Sequence, residues 1–160
     1  MKEYNLTTKM RSYQWDELTD EQREVITVAK AQTKKSYCPY SGFHVGAAAK
    51  LSNGVIVPGS NQENAAFPSG LCAERTALFA AGAQYPDEKV VRLAIACFTG
   101  GHFTKVPGSP CGSCRQVMIE TEHRYEGDME VLLYGEDEIF VFNSAADLLP
   151  LTFVSENLKG

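Results

Sequence analysis

The segment Leu71-Cys72-Ala73-Glu74-Arg75 runs from a loop containing proline and glycine into Thr76-Ala77-Leu78-Phe79-Ala80-Ala81, a series of strong helix formers. Cys72 and Glu74 are therefore predicted at the N-terminus of a helix. Unpaired backbone N–H groups and the positive end of the helix dipole favour anions there, so the Cys72 thiol loses its proton more easily than an average cysteine. A thiolate is the form of cysteine that binds a metal ion.

A second segment repeats this arrangement. Cys111-Gly112-Ser113-Cys114 follows a loop that ends at Pro110, and it opens the apolar segment Arg115–Ile119. Positions i and i+3 of a helix lie on one face, so both cysteines of this segment can bind one ion. Three sulfurs beside a free acid differ from a closed structural zinc site, which normally has four protein ligands. The sequence predicts zinc with its fourth position open to water, and Glu74 beside it as proton carrier.

The pattern before these segments predicts a helix followed by a hairpin. Thr19–Gln22 has the spacing of a capping box and begins a first helix of about four turns, which Pro39 stops. Apolar residues alternate with polar or small ones from Phe43 to Leu51, as in a β-strand. Asn53-Gly54 suits a tight turn, after which Val55–Val57 returns antiparallel.

The segments after the hairpin alternate in type, in the order loop 58–70, helix 72–83, strand 89–98, loop 99–110 and helix 111–122. The nearly continuous apolar run Val90–Cys97 is typical of a central strand covered on both faces. Two further strands, Glu130–Tyr134 and Ile139–Phe142, and a short helix before Pro150 complete the pattern. Residues 1–15 are either an edge strand or a loose arm. This order predicts an α/β protein with helices packed on a sheet.

The composition limits the possible classes of function. A chain of 160 residues, 44% of them hydrophobic, suffices for a single domain over residues 1–160. Neither a run of about 18 apolar residues nor the apolar stretch of a signal peptide is present, which indicates no membrane partner. Five cysteines with a Cys-x-x-Cys pair favour metal binding in a reducing cytoplasm over disulfides. The net charge of −5 argues against a nucleic-acid partner and favours a small neutral substrate.

Cys72-Ala73-Glu74 together with Pro110–Cys114 resembles the established zinc-site signature of the cytidine deaminase superfamily. Five further segments resemble the small free-nucleoside cytidine deaminases in the same order: Tyr40–Ala48, Asn61–Ala65, Ala73–Phe79, Cys114–Gln116 and Leu148–Pro150. The resemblance covers about residues 36–153. It implies a three-layer α/β/α arrangement with a five-stranded mixed sheet.

The resemblance also implies a reaction, the hydrolytic deamination of cytidine and 2′-deoxycytidine to uridine and 2′-deoxyuridine with release of ammonia, as in pyrimidine salvage. Cys72, Cys111 and Cys114 correspond to the ligands of one Zn²⁺ per subunit. Glu74 corresponds to the residue that carries protons between water, the ring N3 and the departing amine. The alternative for Glu74 is a first-turn glutamate that only complements the helix dipole.

Substrate contacts are implied by the same resemblance. Phe43 matches a position that contacts the pyrimidine, and Ala73 matches a further substrate-binding position. Asn61 and Glu63 match a pair that holds the ribose 3′-hydroxyl. Phe43 is also compatible with plain core packing, and Asn61 and Glu63 with an Asx-type turn that leaves the glutamate in solvent. Phe153 is a candidate for stacking on the base bound by a neighbouring subunit.

Charge balance suggests a supporting role for two arginines. Three thiolates and one divalent ion have a formal charge of −1, which weakens the metal as a Lewis acid. The family assigns Arg75 and Arg115 to hydrogen bonds on the sulfurs, although both are also compatible with ordinary surface charges. His102 lies in a glycine-rich loop and is interpreted as a loop histidine or one that faces the substrate, with a fourth metal ligand as the alternative.

A cysteine as the first ligand indicates the three-cysteine subgroup, which implies a cytoplasmic homotetramer with sites completed across interfaces. Two rival functions stay open. One is a deaminase of the same subgroup that acts on an aminonucleoside antibiotic such as blasticidin S, and the other is a non-catalytic zinc-binding module. A nucleic-acid-editing deaminase is disfavoured by the acidic charge and by Asn61 and Glu63, which match contacts to a free sugar.

Overall fold

The computed structural model describes residues 1–159, which form one mixed β-sheet with helices on both faces. The strands are β1 (Arg11–Tyr13), β2 (His44–Leu51), β3 (Ile56–Ser60), β4 (Val90–Thr99), β5 (His102–Phe103), β6 (Glu130–Tyr134) and β7 (Ile139–Phe142). The α-helices are α1 (Asp20–Gln32), α2 (Ala73–Gln84) and α3 (Gly112–Arg124). Short 3₁₀ helices span Trp15–Glu17, Thr33–Lys35, Phe67–Ser69, Ala145–Leu148 and Ser155–Leu158.

The strands follow the order β1-β7-β6-β4-β2-β3, and β5 pairs with the end of β4. β4 and β6 are parallel, whereas the other neighbouring strands are antiparallel. The predicted α/β/α class is confirmed, but the sheet has seven strands rather than five. One extra strand arises because Arg11–Tyr13 pairs with Ile139–Val141, so the N-terminal region includes an edge strand. The other arises because His102–Phe103 folds back onto Phe98–Thr99.

Both faces of the sheet are covered. Ala47 and Ala49 belong to the core between the sheet and helices α2 and α3, as the alternation in the sequence predicts. Ala48, on the opposite face, is fully buried in a second core against α1. The sheet is therefore the middle of three layers.

Helix α1 begins as the sequence predicts. Thr19 Oγ1 accepts a hydrogen bond from the Gln22 backbone N–H at 3.2 Å, and the Thr19 N–H donates to Gln22 Oε1 at 3.0 Å. The α-helix ends at Gln32 and continues as the 3₁₀ turn Thr33–Lys35 before Pro39. None of the helices in residues 1–159 is long and apolar enough to cross a membrane.

Glycine in β3 allows helix α2 to lie directly on the sheet. A Cβ atom at Gly59 would lie 2.5 Å from both the carbonyl oxygen of Ala73 and the backbone nitrogen of Ala77. Any larger residue would displace the first turn of α2, because backbone atoms cannot move aside as a flexible side chain can. This contact fixes the N-terminus of α2, where Cys72 and Glu74 lie.

Candidate metal and catalytic site

The N-termini of helices α2 and α3 meet on one side of the sheet. Cys72 is the residue that caps α2, Cys111 caps α3, and Cys114 lies in the first turn of α3. The Sγ atoms of Cys72 and Cys111 are 3.8 Å apart, and those of Cys111 and Cys114 are 3.3 Å apart. All three sulfurs lie within 4.8 Å of one another, and they form the one such group of metal-binding side chains in residues 1–159.

These sulfurs fit a zinc ion. A tetrahedral zinc with Zn–S distances of about 2.3 Å requires its sulfurs to be about 3.8 Å apart. The separation between Cys72 and Cys111 has this value, and that between Cys111 and Cys114 is shorter by half an ångström. Three protein ligands leave one position of a tetrahedral ion open, as in catalytic zinc sites.

The cysteines differ in their readiness to lose a proton. The neighbouring Cys114 thiol, with a further contribution from the Arg75 guanidinium, lowers the pKa of Cys72 to about 5. The interaction with Cys72 and burial raise the pKa of Cys114. Thiols packed this closely cannot all ionise unless a cation compensates their charge. The donor set therefore matches a divalent metal, which would allow all three to become thiolates.

Glu74 lies beside the cysteines in the first turn of α2. Its side chain is buried, with 5% of the residue exposed, and it lines a cavity of about 400 Å³ together with Cys72 and Cys111. Burial, followed by the negative charge of Cys72, raises the pKa of the Glu74 carboxyl. A carboxyl with a raised pKa is suited to accept and return a proton near neutral pH.

The same cavity contains the four predicted substrate contacts. Phe43, Ala73, Asn61 and Glu63 all line it, although they come from three separate segments of the chain. An adjoining cavity of about 490 Å³ shares Asn61 and Glu63 and widens the opening. Both cavities are lined by Cys72, and together they are called the cleft.

Asn61 is hydrogen-bonded to the start of β2 and to the residue that precedes this strand. Its Oδ1 accepts from the Val45 N–H at 2.8 Å, and its Nδ2 donates to the Phe43 carbonyl at 2.9 Å. An amide can accept two hydrogen bonds and donate two, so Asn61 keeps capacity for a ligand. This side chain also holds Phe43 at the cleft.

Glu63 is bonded to the loop before Phe43. Its carboxylate accepts from the Tyr40 N–H at 2.9 Å, from the Ser41 N–H at 3.3 Å and from the Ser41 hydroxyl. These bonds, that of the Ser41 hydroxyl above all, lower the pKa of Glu63. The carboxylate therefore stays ionised and shapes the loop that carries Phe43.

The two arginines have different partners. Arg75 donates from Nη2 to Cys72 Sγ at 3.7 Å, while its buried Nε has no hydrogen-bond partner in residues 1–159. Arg115 donates instead to two carbonyls, from Nε to Pro110 at 2.9 Å and from Nη1 to Leu148 at 2.8 Å. Within residues 1–159, Arg115 makes no hydrogen bond to a cysteine sulfur, which differs from the expectation. Arg115 thus orders the backbone that precedes Cys111.

Other sequence candidates lie away from the sulfurs. His102 is exposed, and its Nδ1 lies 2.7 Å from the carbonyl oxygen of its neighbour Phe103. Phe153 is also exposed, and its carbonyl accepts a hydrogen bond from Gln116 Nε2 at 2.7 Å. Cys38 lies in the loop after α1 and is buried.

Sequence reasoning did not single out several residues that line the cleft, among them Ser41, Cys97 and Gly108. Cys97 is a buried strand residue, as predicted, but it also faces the cavity near the end of β4. Its spacing from the other cysteines carries no ligand pattern, so nothing in the sequence relates it to them. Gly108 and Ser41 come from loops whose paths depend on the tertiary fold.

Comparisons with known proteins agree with this geometry. The model of the cytidine and deoxycytidylate deaminase zinc-binding region matches residues 19–125. The cytidine deaminase of Halalkalibacterium halodurans is 37% identical over 139 residues, which cover 86% of this chain and 92% of the relative. That of Sporosarcina psychrophila is 38% identical over 136 residues, which cover 85% of this chain and 93% of the relative. The crystal structure of cytidine deaminase from Burkholderia pseudomallei superposes with a TM-score of 0.70 at 40% identity, covering 85% of this chain and 100% of that one.

Proposed function

Because the chain belongs to the cytidine and deoxycytidylate deaminase family, we propose that it deaminates cytidine and 2′-deoxycytidine hydrolytically to the corresponding uridines and ammonia. The observation that carries this proposal is the position of a buried glutamate in one cavity with metal-binding cysteines. A closed structural zinc site has neither an open coordination position nor an acid beside it. The activity belongs to pyrimidine salvage.

Cys72, Cys111 and Cys114 would hold the zinc. When bound, zinc supplies a Lewis acid that makes hydroxide available near neutral pH. The N-termini of α2 and α3 favour the negative charge of the thiolates, and the Arg75 guanidinium reduces the charge on Cys72. This local compensation offsets the weakening of the Lewis acid by three thiolates.

Glu74 moves the protons of the reaction. Its carboxylate takes a proton from the attacking water and delivers it to N3 of the pyrimidine, while the water oxygen adds to C4. Glu74 then delivers the second proton of that water to the exocyclic amine, and the bond between C4 and nitrogen breaks to release ammonia. The burial that raises the pKa of Glu74 supports this role, because a weaker acid is a better proton acceptor.

The rest of the cleft binds the nucleoside. Phe43 packs against the base, the Ala73 backbone lies beside it, and Asn61 and Glu63 bind the ribose 3′-hydroxyl. Their shared position in the cleft supports this assignment. The remaining donor and acceptor capacity of Asn61 also agrees with it.

The direct test is an ultraviolet absorbance assay of the purified protein with cytidine, 2′-deoxycytidine and blasticidin S as separate substrates. We expect turnover of both nucleosides, with ammonia released in equal amount. Turnover of blasticidin S alone would assign the chain to antibiotic deamination. Zinc binding without any ammonia release would indicate the non-catalytic zinc module.

Assembly is a further part of the proposal. The chain forms a homotetramer in which neighbouring subunits complete each site, and Phe153 stacks on the neighbour's base. Tyr40 and Phe67 support an interface beside the cleft, since both line its wider part and expose 54% and 77% of their surface. Their rings pack edge to face at a centroid distance of 6.1 Å. Light scattering tests this, with a mass four times that of one chain expected and a monomer contradicting it.

Two general properties complete the proposal. Residues 1–160 make up one deaminase domain, and the two buried cores on opposite faces of a single sheet support this. The protein acts in the cytoplasm, for which the five free cysteines are the supporting observation.

A further inference from the structure

One part of the cleft wall has no role in the mechanism above. Cys97 lies near the end of β4 with 5% of its surface exposed, yet it lines the same cavity as Glu74 and Phe43. Burial, with a smaller contribution from the charge of Glu74, raises the pKa of the Cys97 thiol to about 12. The side chain is thus neutral at physiological pH and behaves as a small apolar group.

Gly108 holds the Cys97 sulfur in place. A Cβ atom at Gly108 would lie 2.6 Å from Cys97 Sγ and 3.5 Å from Cys97 Cβ. The first distance is a clash, whereas the second is ordinary van der Waals contact. The sulfur therefore rests against the Gly108 backbone, in the loop that leads to Cys111.

The chemistry of the proposed reaction places this wall near the reacting carbon. C4 of the pyrimidine must lie close to the three metal-binding cysteines, and N3 must face Glu74 to receive its proton. The other two atoms bonded to C4 are the exocyclic nitrogen N4 and the ring carbon C5. Cys97 lines the cavity that contains Glu74, Cys72 and Cys111, so it bounds the space in which these two atoms lie.

We propose that Cys97, held by Gly108, determines specificity by limiting the size of the group that the pyrimidine carries on C5 or N4. The inference rests on the proposed function and adds to it a selection against bulkier cytosines. One carbon more or less in an apolar pocket typically changes the specificity ratio by about 10-fold to 200-fold. Removing the Cys97 sulfur from the cavity wall makes room for about one methyl group on C5 or N4.

The test compares kcat/KM for cytidine, 5-methylcytidine and N4-methylcytidine. In Cys97→Ala we expect kcat/KM for at least one methylated nucleoside, divided by kcat/KM for cytidine, to rise about tenfold. Cys97→Val, which adds volume, should lower these ratios. Cys38→Ala is the matched control, because Cys38 is a buried thiol that does not line this cavity.

Ratios unchanged in both Cys97 variants would overturn the inference. Wild-type protein that leaves cytidine intact would instead contradict the proposed function, so the two failures are distinguishable. Zinc content and thermal denaturation of each variant show whether it is folded. If Cys97→Ala does not fold, the expected fall of the ratios in Cys97→Val decides the question.

A double-mutant cycle tests the contact itself. Gly108→Ala in the wild-type background should lower kcat/KM for cytidine at least tenfold, because the new Cβ clashes with Cys97 Sγ. In the Cys97→Ala background, Gly108→Ala should lower kcat/KM for cytidine less than threefold. The atom nearest to the new Cβ is then the Cβ of residue 97, at 3.5 Å. An equal loss in both backgrounds would show that the sulfur does not act through Gly108.

Discussion

The two ends of the cleft are built differently. The metal end, formed by the three metal-binding cysteines and Glu74, lies on helix N-termini. Cys114 and Glu74 are buried there, at 0% and 5% exposure, whereas Cys72 is half-buried and Cys111 is exposed. The sugar end consists of the segment with Asn61 and Glu63 and of the turn-containing loop 40–43, and these two segments are hydrogen-bonded to each other. Helix ends fix charges and proton carriers, whereas loops adapt to a ligand. Substitutions at the metal end should therefore abolish chemistry, and those at the sugar end should weaken binding.

The largest effect is expected at a fully buried metal ligand. Cys114→Ser should reduce bound zinc from one per chain to near zero and remove detectable turnover, because an alcohol is a poor substitute for a thiolate on zinc. Elemental analysis after dialysis measures the zinc. Cys38→Ser is the control, since this buried thiol lies outside the cluster. Retention of zinc and activity in Cys114→Ser would exclude Cys114 as a ligand.

The second largest effect is expected at Glu74, where a substitution should remove proton transfer without removing the metal. Glu74→Ala should keep zinc but lower kcat by about 10²-fold to 10⁴-fold, the usual contribution of a general acid or base. Glu74→Gln preserves the shape of the side chain and should show a similar loss. Near-normal turnover in either variant would remove Glu74 from the mechanism.

The third effect belongs to the sugar end. Glu63→Gln should raise KM more than it lowers kcat, because a hydrogen bond to a charged group contributes about 1.5–3 kcal/mol, or roughly 10-fold to 100-fold in affinity. The same variant should lose much less with 3′-deoxycytidine, which lacks the proposed partner hydroxyl. An equal loss with both nucleosides would show that Glu63 acts only by ordering Tyr40 and Ser41.

The smallest effect tests the support beneath the metal end. Gly59→Ala should lower the free energy of unfolding by about 1–3 kcal/mol, as overpacking typically does, since its Cβ would meet the α2 backbone at 2.5 Å. The control is Gly82→Ala, within helix α2 itself. Its nearest atom is the flexible Arg124 Nη1 at 3.3 Å, so this variant should be neutral or slightly stabilising. Chemical denaturation measures both, and equal behaviour of the two variants would contradict close packing at Gly59.

Each half of the metal end could be predicted from the sequence because its determinants are local, whereas the meeting of the two halves, 39 positions apart, is implied by the family resemblance. Cys111 and Cys114 are three positions apart at a helix start, and Cys72 and Glu74 begin the other helix. Such spacing needs no knowledge of the rest of the fold. The capping box at Thr19 could be predicted for the same reason.

The remaining features depend on contacts between distant segments. Strands β1 and β5 have three and two residues, too few for a hydrophobic period, and exist only because β7 and β4 pair with them. The bond from Arg115 to the Leu148 carbonyl joins segments 33 positions apart. Likewise, the position of Cys97 in the cleft depends on the packing of the loop that carries Gly108 against this residue of β4.

The most direct test of the account measures uridine and ammonia produced from cytidine by one preparation in three states: zinc-loaded, stripped by a chelator, and reloaded with zinc. Uridine and ammonia should appear in equal amounts in the first and third states and be absent from the second. A preparation that holds one zinc per chain but yields neither product, or one that stays active after its zinc has been removed, would contradict the central claim that the three cysteines and Glu74 form a zinc-dependent deaminase site.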